Sequence, residues 1–135
     1  MKYEGIPIVN FFGDDARFEH IGIAVRSIND KIKDIKKIHD PIQRVNVSFI
    51  YVNSIKIELI EPTSKDSPVN NILSKGQRLY HLCFKVPDLE RAIIVARENG
   101  FHRISSPVPA RAYNDRKVLW VYSNEYGLFE LIEGQ

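Results

Sequence analysis

Cysteine is nearly absent: Cys83 is the only one in 135 residues. A lone thiol excludes an intrachain disulfide and any cysteine-rich metal centre. Long apolar runs are missing too, which argues against a membrane-spanning helix, and the residues after Met1 lack the charged-then-apolar pattern of an export signal. A cytoplasmic setting is the expectation. Neither sign of charge dominates, since 19 Lys and Arg stand against 17 Asp and Glu for a net charge of +2. These charges are interleaved, leaving no electrostatic footprint for nucleic acid, although slight basicity suits a small anion. With 44% hydrophobic and 27% charged residues, the composition is that of an ordinary globular chain. Its length suits one domain, 1–135, and not two independent cores.

What the chain does have is an internal echo. Residues 18–25, Phe-Glu-His-Ile-Gly-Ile-Ala-Val, return at 79–86 as Leu-Tyr-His-Leu-Cys-Phe-Lys-Val, with His third and Val eighth in both. Glu58-Leu59-Ile60-Glu61 returns as Glu130-Leu131-Ile132-Glu133. A unit written twice fixes the architecture before any single residue is interpreted. Module one is expected over 18–62 and module two over 78–134, with a linker at 63–77.

In module one, alternation over 18–25 sets Ile21, Ile23 and Val25 on one strand face as core. His20, Gly22 and Ala24 lie on the other, where small residues and one imidazole suit a cavity wall. Ser27 as an N-cap, with Ile28, Ile32, Ile35 and Ile38 at helical spacing, predicts an amphipathic helix ended by Asp40-Pro41. Residues 45–52 and 54–60 predict a hairpin turning near Asn53. Ser67-Pro68 before Val69, Ile72 and Leu73 predicts a short helix in the linker. Module two repeats the order: a strand at 79–86, then Asp88 as N-cap, a helix burying Leu89, Ala92, Ile93 and Ala96, and Gly100 at its end. An extended stretch at 106–109 and a hairpin of 117–122 with 127–132 follow. Residues 1–17, with Phe11-Phe12, read as an arm over the domain or a partner subunit, or equally as a partly ordered tail.

Each module thus places a histidine on its first strand and a glutamate on its last, on the face away from the aliphatic side. If the modules pair about a pseudo-twofold axis, His20, Glu58, His81 and Glu130 converge as a nitrogen and oxygen site for a divalent ion such as Zn, Ni, Co or Mn. Singly, each reads as an ordinary half-buried histidine or solvated glutamate; the twin placement favours the metal site. Glu58 or Glu130 is the available general base. Lys56 and Lys85 share these faces, and Arg111 and Arg116 can clamp an anion, so these four are the candidate substrate-binding residues. Glu61 and Glu133 are expected as edge or surface charges, and His39 and His102 as solvated.

The two halves resemble the paired βαβββ modules of the vicinal oxygen chelate, or glyoxalase-like, superfamily. Within it they are most similar to the methylmalonyl-CoA epimerases. The resemblance is carried by His20-Ile21-Gly22-Ile23-Ala24-Val25, by Ile57-Glu58-Leu59-Ile60-Glu61-Pro62 with Asp66-Ser67-Pro68, and by Tyr80-His81-Leu82-Cys83-Phe84-Lys85-Val86. It implies an α+β fold with a cup-shaped mixed sheet, here with a shortened first module, and a homodimer. It also implies His20, Glu58, His81 and Glu130 as metal ligands. The expected activity is that of a metal-dependent isomerase or epimerase, removing a proton α to the carbonyl of an acyl-CoA or other anionic carbonyl compound. A lactoylglutathione lyase-like enzyme and a metal-free small-molecule-binding resistance protein are the alternatives.

Overall fold

The two echoing strands lie side by side in the computed structural model of the chain, which describes residues 4–134. Strand β1 (Arg17–Ala24) runs antiparallel to β5 (Leu79–Val86), and each is flanked by the closing strand of its own module in parallel: β4 (Ile55–Pro62) beside β1, and β9 (Gly127–Glu133) beside β5. Outward from β4 come β3 (Val45–Val52) and β2 (Ile38–Asp40); outward from β9 come β8 (Arg116–Ser123) and β6 (His102–Arg103). With β7 (Val108–Ala110) on β8, the described residues form one mixed nine-stranded sheet in an α+β fold. The two modules therefore pair within one chain. In the first hairpin Asn53 and Ser54 take φ of +48° and +76°, the left-handed pair that matches the twist of a two-residue turn.

Module two follows its pattern. Helix α2 (Leu89–Glu98) begins at Asp88, whose carboxylate accepts from the backbone N–H of Glu90 and Arg91, and Gly100 follows it with φ +86°. Its apolar face packs on β5, β9 and β8, where Phe12 from the preceding arm joins the same core. The arm thus covers the sheet of its own chain, with Phe12 buried between Phe84, Phe101 and Phe129. The linker forms α1 (Val69–Ser74), which buries Val69 and Leu73 against Ala24, Val45, Val47 and Ile60. No described helix is long and apolar enough to cross a membrane.

Module one departs from the expected helix. Only Ile28–Asp30 makes a 3-10 turn, Asp34 is left-handed at φ +63°, and Ile38 is not helical but begins β2, paired with Val47. Four β-branched isoleucines among Asn and Asp residues make a weak helix, and tertiary bonds decide against it. Glu61, expected at the surface, is buried: its carboxylate accepts from Ile28 N at 2.7 Å, Lys37 Nζ at 2.9 Å and Asn46 Nδ2 at 2.9 Å. Glu133 is only partly exposed and accepts at 3.4 Å from Leu89 N, the first residue of α2. The duplicated second glutamates thus hold the start of whatever follows each first strand. Without its helix, module one's aliphatic face is only half covered. Ile21, Ile23 and Val25 remain partly exposed, while the opposite face, His20, Gly22 and Ala24, is fully buried.

Burial would raise the Glu61 carboxyl, but Asn46, the Ile28 amide and Lys37 hold it below the ordinary carboxylate range. A depressed folded pKa contributes stability that is complete above the unfolded value and lost as pH falls through the folded one. Glu61→Gln is expected to cost about 1–3 kcal/mol at neutral pH and to flatten the acid limb of stability against pH, measured by urea unfolding from pH 7 to pH 3.

Candidate metal centre

Two matched irregularities build the site. In the β1–β5 register Phe18 faces Phe84 and His20 faces Cys83, so Glu19 has no partner; Gly22 faces His81 and Ile23 faces Leu79, so Tyr80 has none. Each strand therefore carries a bulge one residue before its histidine. A bulge lets neighbouring side chains turn toward one side of a sheet. Gly22 supplies the remaining condition, because a Cβ there would collide with the His81 ring. The imidazole lies directly over strand β1 because position 22 has no side chain.

The four ligand candidates meet at the sheet's centre. His20 Nε2 stands 3.2 Å from His81 Nε2, 3.4 Å from Glu58 Oε1 and 3.5 Å from Glu130 Oε1. His81 Nε2 is 3.7 Å from Glu58 Oε1 and 3.2 Å from Glu130 Oε1. All four ligand atoms fall within 4.8 Å of one another, and all four residues are buried. Metal–ligand bonds of about 2.0–2.2 Å put neighbouring donor atoms roughly 3.0–3.5 Å apart, so the set fits a divalent ion. Glu130 Oε1 is buried without a hydrogen-bond donor of its own, as a carboxylate oxygen reserved for a cation would be. Burial alone would raise the Glu130 carboxyl, yet His20 and His81 hold it well below its ordinary range. Burial would likewise lower His20, but Glu130, Glu19 and Glu58 push it up to about 11. The carboxylates and imidazoles of the cluster thus favour positive charge at its centre.

Behind His20 stands a second set of groups that strand alternation concealed. His20 Nδ1 lies 3.1 Å from Glu19 Oε1 and 2.8 Å from the Tyr113 hydroxyl, which donates to the same carboxylate oxygen at 2.5 Å. Lys56 Nζ donates to that oxygen at 2.9 Å. The network fixes a proton on Nδ1 and turns Nε2 inward, the usual support for a metal-binding imidazole. Burial would raise Glu19, but His20, Tyr113 and Lys56 lower it to about 2. Only the bulge brings Glu19 to this side of the sheet. Tyr113 comes from the 111–116 loop, which read as a charged clamp; an aromatic flanked by arginines was the available signal. His81 has no such support: its Nδ1 is buried and unpartnered, and its ring packs on Tyr80 and Trp120 at 4.9 and 4.7 Å.

A cavity of about 150 Å³ opens beside the cluster, lined by Glu58, His81 and Glu130 together with Tyr80, Tyr113 and Trp120, among others. None of the four cations expected to bind substrate lines it. Lys56 is engaged by Glu19, with its ammonium 4.6 Å from the centre of the Phe49 ring. Lys85 lies toward the far end of β5 beside Gly134 and Arg116. Arg111 is exposed and pairs with Asp115 at 3.3 Å. The cation that does line the cavity is Arg44, from a turn whose sequence reads only as a connection. His39 and His102 are exposed, as expected, and Cys83 is buried with its thiol pushed well up, first by burial and then by Glu130 and Glu58.

A family model described as the glyoxalase/bleomycin resistance protein/dioxygenase superfamily matches residues 19–120. The chain is 34% identical over 129 residues to YqjC, an uncharacterized protein of Bacillus subtilis, covering 87% of this chain and 91% of that one. It is 25% identical over 122 residues to the mitochondrial methylmalonyl-CoA epimerase of Homo sapiens, covering 82% and 69%. A variant of Streptomyces coelicolor methylmalonyl-CoA epimerase in complex with 2-nitronate-propionyl-CoA superposes with a TM-score of 0.71 at 22% identity, covering 87% of this chain and 94% of the other.

Removing the charge behind His20 tests its support: Glu19→Gln is expected to weaken Zn or Co affinity about 10–100-fold, read by competition against a chromophoric chelator, with the far-UV spectrum unchanged. Because a metal must displace the His20 proton, wild-type affinity is expected to rise about tenfold per pH unit between roughly pH 6 and 8. A pH-independent affinity in the same assay would refute this.

Proposed function

Since the chain belongs to the glyoxalase/bleomycin resistance protein/dioxygenase superfamily, we propose that it is a divalent-metal-dependent isomerase or epimerase. In this reading it removes a proton α to the carbonyl of an acyl thioester of the methylmalonyl-CoA kind. The observation that carries this reading is the convergence of His20, Glu58, His81 and Glu130, with their ligand atoms within 4.8 Å of one another, beside a cavity that Glu58, His81 and Glu130 line and whose wall is otherwise largely aromatic and aliphatic. The relatives named epimerases support the choice of reaction. A metal-free binding protein leaves unexplained why two imidazoles and two carboxylates are buried against each other, an arrangement whose desolvation is costly unless a cation offsets it.

His20, Glu58, His81 and Glu130 would hold the ion, which when bound would supply Lewis-acid polarisation of a carbonyl oxygen and stabilisation of nearby negative charge. The chain's own residues do the rest. Glu58 and Glu130 line the cavity from strands of opposite modules, so carboxylates approach a bound acyl group from two halves of the site. One accepts the α proton as the C–H electrons pass into the enolate, and a solvent-derived proton passed through the other to the opposite face inverts the centre. Tyr80 also lines the cavity; burial, then Glu130 and Glu58, push it up to about 12, so it stays protonated and can donate a hydrogen bond to a substrate oxygen. Trp120 and the aliphatic wall from β3 and β4 exclude water around the forming charge. Assembly as a homodimer belongs to the same reading, supported by the half-covered aliphatic face of module one.

Proton exchange into D₂O, followed by NMR over a panel of CoA esters that includes methylmalonyl-CoA, is expected to show α-proton loss with the Co- or Mn-loaded protein. Glu130→Gln is expected to slow it by about 100-fold or more. Absence of exchange across the panel with metal demonstrably bound would defeat the proposal.

A further inference from the structure

The charged residues lining the cavity are Asp40, Arg44, Glu58 and Glu130. Glu58 and Glu130 face the histidines. Asp40 is buried and saturated: Oδ1 accepts from the amides of Ile42 and Gln43 at 3.1 and 3.0 Å, and Oδ2 accepts from Gln43 Nε2 at 3.3 Å and the Arg111 amide at 3.2 Å. Asp40 therefore staples the 40–44 turn and ties it to the loop that carries Tyr113. The turn ends on Arg44, which is exposed, holds φ at +59° and accepts from the Thr63 amide at 3.2 Å. Among the described residues Arg44 has no carboxylate within ion-pair distance. The other left-handed non-glycine residues are Asp34, Asn53, Asn114 and Asp115, of types that tolerate the conformation, and Ser54 in the two-residue hairpin turn, whereas arginine does not favour it. A stapled cation that lines the cavity and pairs with no carboxylate is suited to receive an incoming anion.

We propose that Arg44 is the oxyanion-recognition residue of this cavity, binding a carboxylate or phosphate of the substrate. The inference rests on the reading above that the cavity takes an anionic acyl thioester, and it assigns the specificity for the anion to one side chain. Two sources of the oxyanion fit the chemistry: a second carboxylate on the acyl group, or a phosphate of the coenzyme.

Isothermal titration of the metal-loaded protein with malonate, with its neutral diamide malonamide, and with free CoA separates them. Arg44→Ala and Arg44→Gly are expected to weaken the relevant anion about 10–100-fold, and malonamide not at all. Arg44→Gly relieves the left-handed strain, so its melting temperature is expected to match or exceed that of wild type, which keeps folding separate from binding. Weakening of malonate alone assigns the acyl carboxylate, and weakening of CoA alone assigns a phosphate. Unchanged affinity for both probes overturns the proposal, even if α-proton exchange on thioesters proceeds. Absence of exchange in wild type, with malonate or CoA still weakened in both variants, would remove the enolate reading and leave the anion subsite standing.

Discussion

The antiparallel seam between β1 and β5 is the constraint from which the site follows, because it sets Gly22 opposite His81 and so lets an imidazole lie across a neighbouring strand. The two histidines are 61 residues apart in sequence, yet the seam brings their Nε2 atoms to 3.2 Å. The flanking parallel strands set two carboxylates beside these ring nitrogens, Glu58 and Glu130, one from each module. Pairing, close approach and charge are thus one arrangement seen at three levels.

Pseudo-symmetry governs the backbone but not the chemistry built on it. The two bulges occupy matching places, yet one presents Glu19 and the other Tyr80. His20 is braced by a carboxylate, a phenol and, through that carboxylate, a lysine; His81 is held by aromatic rings and by the missing side chain of Gly22. The first ring therefore has its proton position set by hydrogen bonds, and the second has its orientation set by packing. The second glutamates, Glu61 and Glu133, likewise share one task at the start of the segment after each first strand, although one meets a 3-10 turn and the other a full helix.

Much of this was legible in the residues. The echo of 18–25 in 79–86 disclosed the two halves, and the paired His and Glu positions disclosed the four groups that meet. Strand alternation could not reveal Glu19, since alternation turns it away from His20 and only a bulge, which leaves no mark in composition, turns it back. Tyr113 was hidden because it belongs to an irregular loop whose path depends on Asp40, 71 residues distant in sequence from the Arg111 amide it holds. Isoleucine spacing over 28–38 mimicked a helix that the chain does not form, because a buried carboxylate on β4 bonds both ends of that segment. Strand face alone does not place a lysine for a related reason: a long side chain goes to the nearest unsatisfied carboxylate, which for Lys56 is Glu19.

The seam also joins local chemistry to global folding. Its strands supply the central rungs of the sheet as well as both imidazoles, so prising the halves apart opens the ligand cage and the core in a single event. A cation seated there acts as a rivet through the middle of the fold, and its binding free energy is added to the unfolding of the entire sheet. An ion bound there would thus steady the whole molecule, edge strands included, rather than merely fill one pocket.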